Sequence, residues 1–90
     1  MKINVSHILV QYDYEAQDIL RSLQSGKTFE ELARKFSKCP SAEHGGELGT
    51  FGKGRLDSDF EDAAFALKVG QIVSKPVRTR FGYHIIRRNS

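Results

Sequence analysis

Two strand-like runs at opposite ends of the chain, each carrying one histidine, restrict the fold more than anything between them. Phe81-Gly82-Tyr83-His84-Ile85-Ile86-Arg87-Arg88 is rich in aromatic and β-branched residues, a composition that suits a pleated, half-buried surface. With a side-chain period of two, Tyr83 and Ile85 fall on one face and His84 and Ile86 on the other. Ile3, Val5, His7 and Leu9 alternate in the same way with Asn4, Ser6, Ile8 and Val10, and both sets are apolar enough for a central strand. If the two runs pair, His7 and His84 become neighbours although 77 positions separate them. The rest of the chain must then fold back to let its ends meet.

Between the ends, helical spacing appears three times. Ala16, Ile19, Leu20 and Leu23 follow a prospective N-cap at Asp13 and precede Gly26, a natural terminator. Thr28 and Glu31 have capping-box spacing ahead of Phe29, Leu32, Ala33 and Phe36. This second helix should end near Ser37, because Pro40 pushes Cys39 away from helical backbone angles. Ser58 and Glu61 repeat the capping-box spacing before Phe60, Ala63, Ala64 and Leu67, with Gly70 as the stop. The run GGELGTFGKGRL (45–56) holds five glycines and only two bulky apolar residues before its last, Leu48 and Phe51. It reads as a short strand with tight corners, and its spacing matches neither the P-loop nor the dinucleotide fingerprint. Ile72-Val73 and Pro76-Val77 give a further strand, confined by Pro76 to an edge or bulge. The residues thus spell β-α-α-β-α-β-β, a small α+β sheet flanked by helices.

Ninety residues suffice for one domain with a modest core, and residues 1–90 are taken as a single unit. Apolar and charged fractions of 39% and 28% are those of a globular protein. No apolar run approaches the roughly 20 residues of a membrane helix. Residues 1–10 lack the basic and apolar regions of a signal peptide, and the single cysteine suits a reducing cytoplasm. The expected setting is therefore cytoplasmic, with a processed fragment of a longer or secreted protein as the alternative. Net charge is +3, from 14 basic and 11 acidic side chains that are scattered, so no specific nucleic-acid partner is expected.

The residues with chemistry of their own are His7, Cys39, His84 and hydroxyls such as Thr79. Two histidines and a cysteine could serve zinc, but they lack the close ligand pairs of most zinc motifs and a fourth ligand. A Cys–His nucleophile is a second possibility, without a nameable oxyanion hole. Residue types alone favour a third: hydrogen-bonded core histidines and a small buried thiol.

The set SHILV (6–10), FEELARKFS (29–37), CPS (39–41), GGELGTFGKG (45–54), FEDAAFAL (60–67), VG (69–70) and PV…T…FGYHII (76–86) resembles the parvulin family of peptidyl-prolyl cis-trans isomerases. The likeness covers almost the whole chain. It implies a four-stranded antiparallel sheet in a parvulin/FKBP-like roll, ordered β-α-α-α-β-α-β-β. It also implies catalytic positions at His7, Cys39, Thr79 and His84, the histidines paired by hydrogen bonds beneath the site. Leu48, Leu56 and Phe60 correspond to the proline pocket, with Phe51 and Phe81 added to the substrate-binding set. Leu56 stands where methionine is common, a swap of similar volume. Some relatives have a small polar residue at the position of Phe81 and Asp at that of Cys39.

The implied activity is rotation about X–Pro peptide bonds in proline-containing or unfolded proteins, by a monomer without metal or cofactor. A non-catalytic chaperone or adaptor module is the alternative. The phosphate-directed branch of the family carries a basic cluster after its first strand. Here that loop is Gln11-Tyr12-Asp13-Tyr14-Glu15, short and acidic, so no phosphate requirement is expected.

Overall fold

The computed structural model describes residues 1–90. Strand β1, Lys2–Val10, lies inside a four-stranded sheet of order β2-β1-β4-β3, in which every neighbouring pair is antiparallel. Its partners are β2, Glu47–Gly52, and β4, Gly82–Arg88. Leu9 faces His84 across the β1–β4 pair, and His7 faces Ile86. The two histidines are thus diagonal neighbours on one face, as the pairing of the chain ends requires. The four-stranded antiparallel α+β roll implied by the resemblance is the architecture found.

Helices α1, Asp13–Gln24, and α2, Phe29–Phe36, cover one face of the sheet. There Ile8, Val10 and Ile85 pack against Ala16, Ile19, Phe29, Leu32 and Ala33. Helix α3, Ser58–Ala66, covers the other, where Ile3, Val5 and Ile86 meet Phe51, Phe60, Ala64 and Leu67. Burial on both sides explains why β1 reads as apolar in both alternating sets.

The helix starts refine the expected caps. Tyr12, not Asp13, is the N-cap of α1, and Glu15 Oε1 accepts from its backbone N–H at 3.0 Å. Thr28 caps α2 as expected, its Oγ1 accepting from Glu31 N–H at 3.2 Å. At α3 the cap is Asp57 rather than Ser58, its Oδ1 accepting from Asp59 N–H at 3.0 Å. A carboxylate one residue upstream takes the place of the hydroxyl, and Glu61 is left for another contact.

After α2 the chain is strapped to the end of β1. Ser37 Oγ accepts from Leu9 N–H at 3.0 Å, and Lys38 N–H donates to Leu9 C=O at 2.7 Å. A short 3₁₀ helix, Pro40–His44, follows and supplies the third helical element of the roll. Gly46 then passes against β1: His7 N–H donates to its carbonyl at 2.9 Å, and a Cβ there would stand 2.4 Å from His7 O. Only glycine permits that approach.

The strand expected over 72–77 is broken. Ile72 bridges to Arg87 and Val73 N–H reaches Ile86 C=O, the chain bends at Ser74–Lys75, and β3 proper is Val77–Thr79. Pro76 lacks the N–H that would continue the ladder, which leaves it beside an edge strand.

Candidate active site

On the α3 face, β1 contributes His7 and β4 contributes His84, each 4% exposed. Their Nδ1 atoms lie 2.9 Å apart, so one ring carries the proton and donates to the other. The rings sit 5.1 Å apart and 18° from parallel. His84 Nε2 is 2.7 Å from Thr79 Oγ1 on β3, and Thr79 in turn accepts from Phe81 N–H at 3.2 Å. Phe60, on α3, closes the stack edge-on, its ring centroid 5.5 Å from His7 and 5.1 Å from His84. Four elements thus fix a line of polar atoms that ends at His7 Nε2, which is buried and has no partner.

The pair is neutral at physiological pH. Burial, reinforced by the adjacent His84, lowers His7 to about 4. Burial also takes His84 to about 4, against the opposing pull of the Asp57 carboxylate. No group of three or more His, Cys, Asp or Glu side chains is placed to hold a metal ion.

Above the pair opens a cavity of about 330 Å³. His7, Cys39 and His84 reach it from below, and Leu48, Leu56, Phe60 and Phe81 form its apolar walls. Thr79 lies behind His84 and acts on the cavity only through that ring. Cys39 is half-buried, and its Sγ takes part in no hydrogen bond; its backbone N–H donates to Ser37 Oγ at 3.4 Å and its C=O accepts from Ala42 N–H at 2.9 Å. Phe51 is the correction to the expected set. It sits in the core with its ring 6.0 Å from Phe65, because its partner on β1 is Ile3, on the same face as His7 but nearer the start of the strand.

Four further residues line the cavity: Leu9, Lys38, Pro40 and Asp57. Strand alternation placed Leu9 on the same face as His7. The other three depend on loop paths that periodicity does not encode. Glu61 is a fifth omission. Its carboxylate is buried and accepts three successive backbone N–H groups, from Gly54, Arg55 and Leu56, at 2.9, 2.9 and 2.7 Å.

A family model for the rotamase (PPIC-type PPIASE) domain matches residues 7–90. The foldase protein PrsA of Geobacillus sp. (strain WCH70) is 52% identical over 87 residues, 96% of this chain and 31% of that protein. PrsA of Bacillus subtilis (strain 168) is 48% identical over 88 residues, 97% of this chain and 30% of its own length. The chain therefore spans under a third of these curated relatives. Among solved structures, the peptidylprolyl isomerase PrsA of Bacillus anthracis superposes with a TM-score of 0.95 at 47% identity, over 99% of this chain and 41% of that one. NmPin, the parvulin of Nitrosopumilus maritimus, gives 0.87 at 48% identity, with 99% and 96% covered. A paired-histidine floor under an apolar pocket, on a fold shared along nearly its whole length, makes this chain a member of the PPIC-type, or parvulin, family of peptidyl-prolyl isomerases.

Proposed function

We propose that the chain is a peptidyl-prolyl cis-trans isomerase of the general, non-phosphate-directed kind, acting on X–Pro bonds of unfolded or proline-containing segments. One observation carries the reading: an apolar cavity of about 330 Å³ lies directly over a neutral, buried histidine pair. Rotation about a peptide bond faces a barrier of about 18–20 kcal/mol because amide resonance must be broken. A catalyst need only favour the twisted amide over both planar forms. The twisted amide is the less polar form, so a water-poor pocket stabilises it selectively. A cation beneath it would favour the polar planar amide instead. The lowered values of His7 and His84 prevent that.

In this reading Leu48, Leu56 and Phe60 grip the proline ring, and Phe81 extends the wall towards the residue before proline. His7, His84 and Thr79 hold the floor. Cys39 shapes the field beside the bond: its thiol has no base in hydrogen-bond contact, and both Nδ1 atoms are engaged with each other. No bond is made or broken, so the reaction calls for neither metal nor cofactor. A monomer comprising one domain is sufficient, since every residue invoked belongs to one chain.

The short segment after β1 supports the absence of a phosphate requirement. Asp13 and Glu15 occupy the first turn of α1, and Glu15 is already engaged with Tyr12. A phosphate there would meet like charge and no arginine fork.

The single half-buried thiol supports a cytoplasmic setting, while kinship with foldases supports an exported host. Cell fractionation decides between them. No helix is long and apolar enough to cross a membrane.

The test is an exchange assay on short X-Pro peptides. Leu, Phe or Met before proline should turn over fastest. A phosphoserine-proline peptide should gain nothing; an advantage of tenfold, about 1.4 kcal/mol, would overturn the reading of the loop. A non-catalytic holding module is the second reading, favoured by the exposure of Phe81 and Leu56 at the mouth. Peptide binding without line-broadening exchange would establish it.

A further inference from the structure

We infer that Glu61 is a positioning residue of the pocket: its carboxylate fixes the loop bearing Leu56 and Asp57 against the helix bearing Phe60. The inference rests on the isomerase reading of this cavity and adds a residue to it. A buried carboxylate normally pairs with a cation, yet Glu61 accepts only from backbone. Oε1 takes the N–H of Gly54, and Oε2 takes those of Arg55 and Leu56. Three consecutive N–H groups converging on one anion form a nest. Gly54 makes the convergence possible with φ of +94° in open space.

The consequence lies in which residues are joined. Leu56, one wall of the cavity, is held by its own N–H at 2.7 Å. Asp57 both lines the cavity and caps α3. Phe60, immediately before Glu61, is another wall and packs edge-on against both histidine rings. A single side chain therefore sets the width between loop wall and helix wall. It does so without touching the space a substrate would fill. Glu61 is no part of the cavity lining.

Glu61→Gln tests this directly, because its amide NH₂ would face a backbone N–H and cannot accept from it. The wall contacts act on planar and twisted proline alike, so their loosening removes uniform binding. In the full chain KM for an X-Pro peptide should rise about tenfold while kcat stays within about twofold. Amide exchange at Gly54, Arg55 and Leu56 should quicken, with β1 and β4 unchanged.

Ala63→Gly, which weakens α3 without touching the Glu61 hydrogen bonds, should leave KM alone. Gly54→Ala, whose Cβ meets nothing but whose φ becomes strained, should reproduce the KM effect in weaker form and stands in if Glu61→Gln does not fold.

If the unaltered protein turns over no peptide, the isomerase reading fails, and the amide exchange still decides the role of Glu61. Unchanged exchange at 54–56 in Glu61→Gln overturns the inference. So does a fall in kcat at constant KM, or an equal KM rise in Ala63→Gly.

Discussion

On one face of β1 and β4, Ile8, Val10 and Ile85 are sealed beneath α1 and α2 in a cluster of apolar side chains. On the other, the same two strands bury His7 and His84 beside Ile86, under α3. The first face stabilises by removing apolar surface from water, about 1.5–3 kcal/mol for each large side chain. The second gains little from its polar line. Each internal hydrogen bond contributes about 0.5–1.5 kcal/mol net, and the unpartnered His7 Nε2 costs a comparable amount. The strands are common to both faces, so packing under α1 and α2 also helps to hold the register that keeps two nitrogens 2.9 Å apart on the other. Precision at the site is thus supplied in part from its reverse.

The sharpest way to break the contrast is Ile8→Ala. Ile8 is fully buried, and truncation should remove about 2–5 kcal/mol of stability. Measured at low temperature, activity per folded molecule should fall much less than stability. A proportionate loss would mean that the faces are not separable.

Acid should act on the site face. His7 titrates near 4 folded against 6.5 unfolded, so between those values the unfolded chain binds more protons. Stability is therefore intact above about pH 6.5 and drains as pH falls towards 4, by about 3 kcal/mol for His7 alone. Glu30 and Glu61 are held below the usual carboxylate range by their hydrogen bonds, so what they contribute is lost only as pH falls through that range and below it. Urea unfolding at pH 7 and pH 5 measures the slope. A protein more stable at pH 5 contradicts the neutral pair.

Replacing either histidine by alanine should cost about 1–3 kcal/mol, because the partner's polar atom is left unpaired. Melting temperature and activity should fall together. A variant with no turnover and an unchanged melting curve would make that histidine a direct catalyst.

Smallest of all should be the effect of Cys39→Asp or Cys39→Ser, which should keep appreciable activity if the side chain only tunes polarity. A folded Cys39→Asp protein slower by more than a thousandfold, about 4 kcal/mol, would restore the nucleophile.

Elements with a strong period were legible in the sequence. Both histidine strands, the stripe of α1, the Thr28 cap of α2 and the inner face of α3 follow from spacing alone, since burial imposes it. What spacing could not supply was the path of segments without one. The 3₁₀ helix at Pro40–His44, which carries the chain on from Cys39, has no buried residue and so leaves no apolar stripe. Ser58 and Asp57 are both competent caps, and only the loop geometry chooses between them. Glu61 matched a capping box three residues after Ser58, but a carboxylate that long can reach outward as well as back. Phe51 and Leu48 look equivalent beside Gly49, yet the β-bulge between Val5 and Ser6 falls where β2 passes Leu48, and the two end in different surroundings. The resemblance to parvulins supplied the rest of the pocket.

Because β1 pairs with β4, the first strand cannot acquire one of its neighbours until the last has been made. At a synthesis rate of about 5–20 residues per second, the 72 residues from Val10 to Gly82 take roughly 4–15 s. For that time an apolar segment waits with an open edge. A chain of this build is therefore, for several seconds of its own biosynthesis, the kind of unfinished protein that a folding catalyst serves.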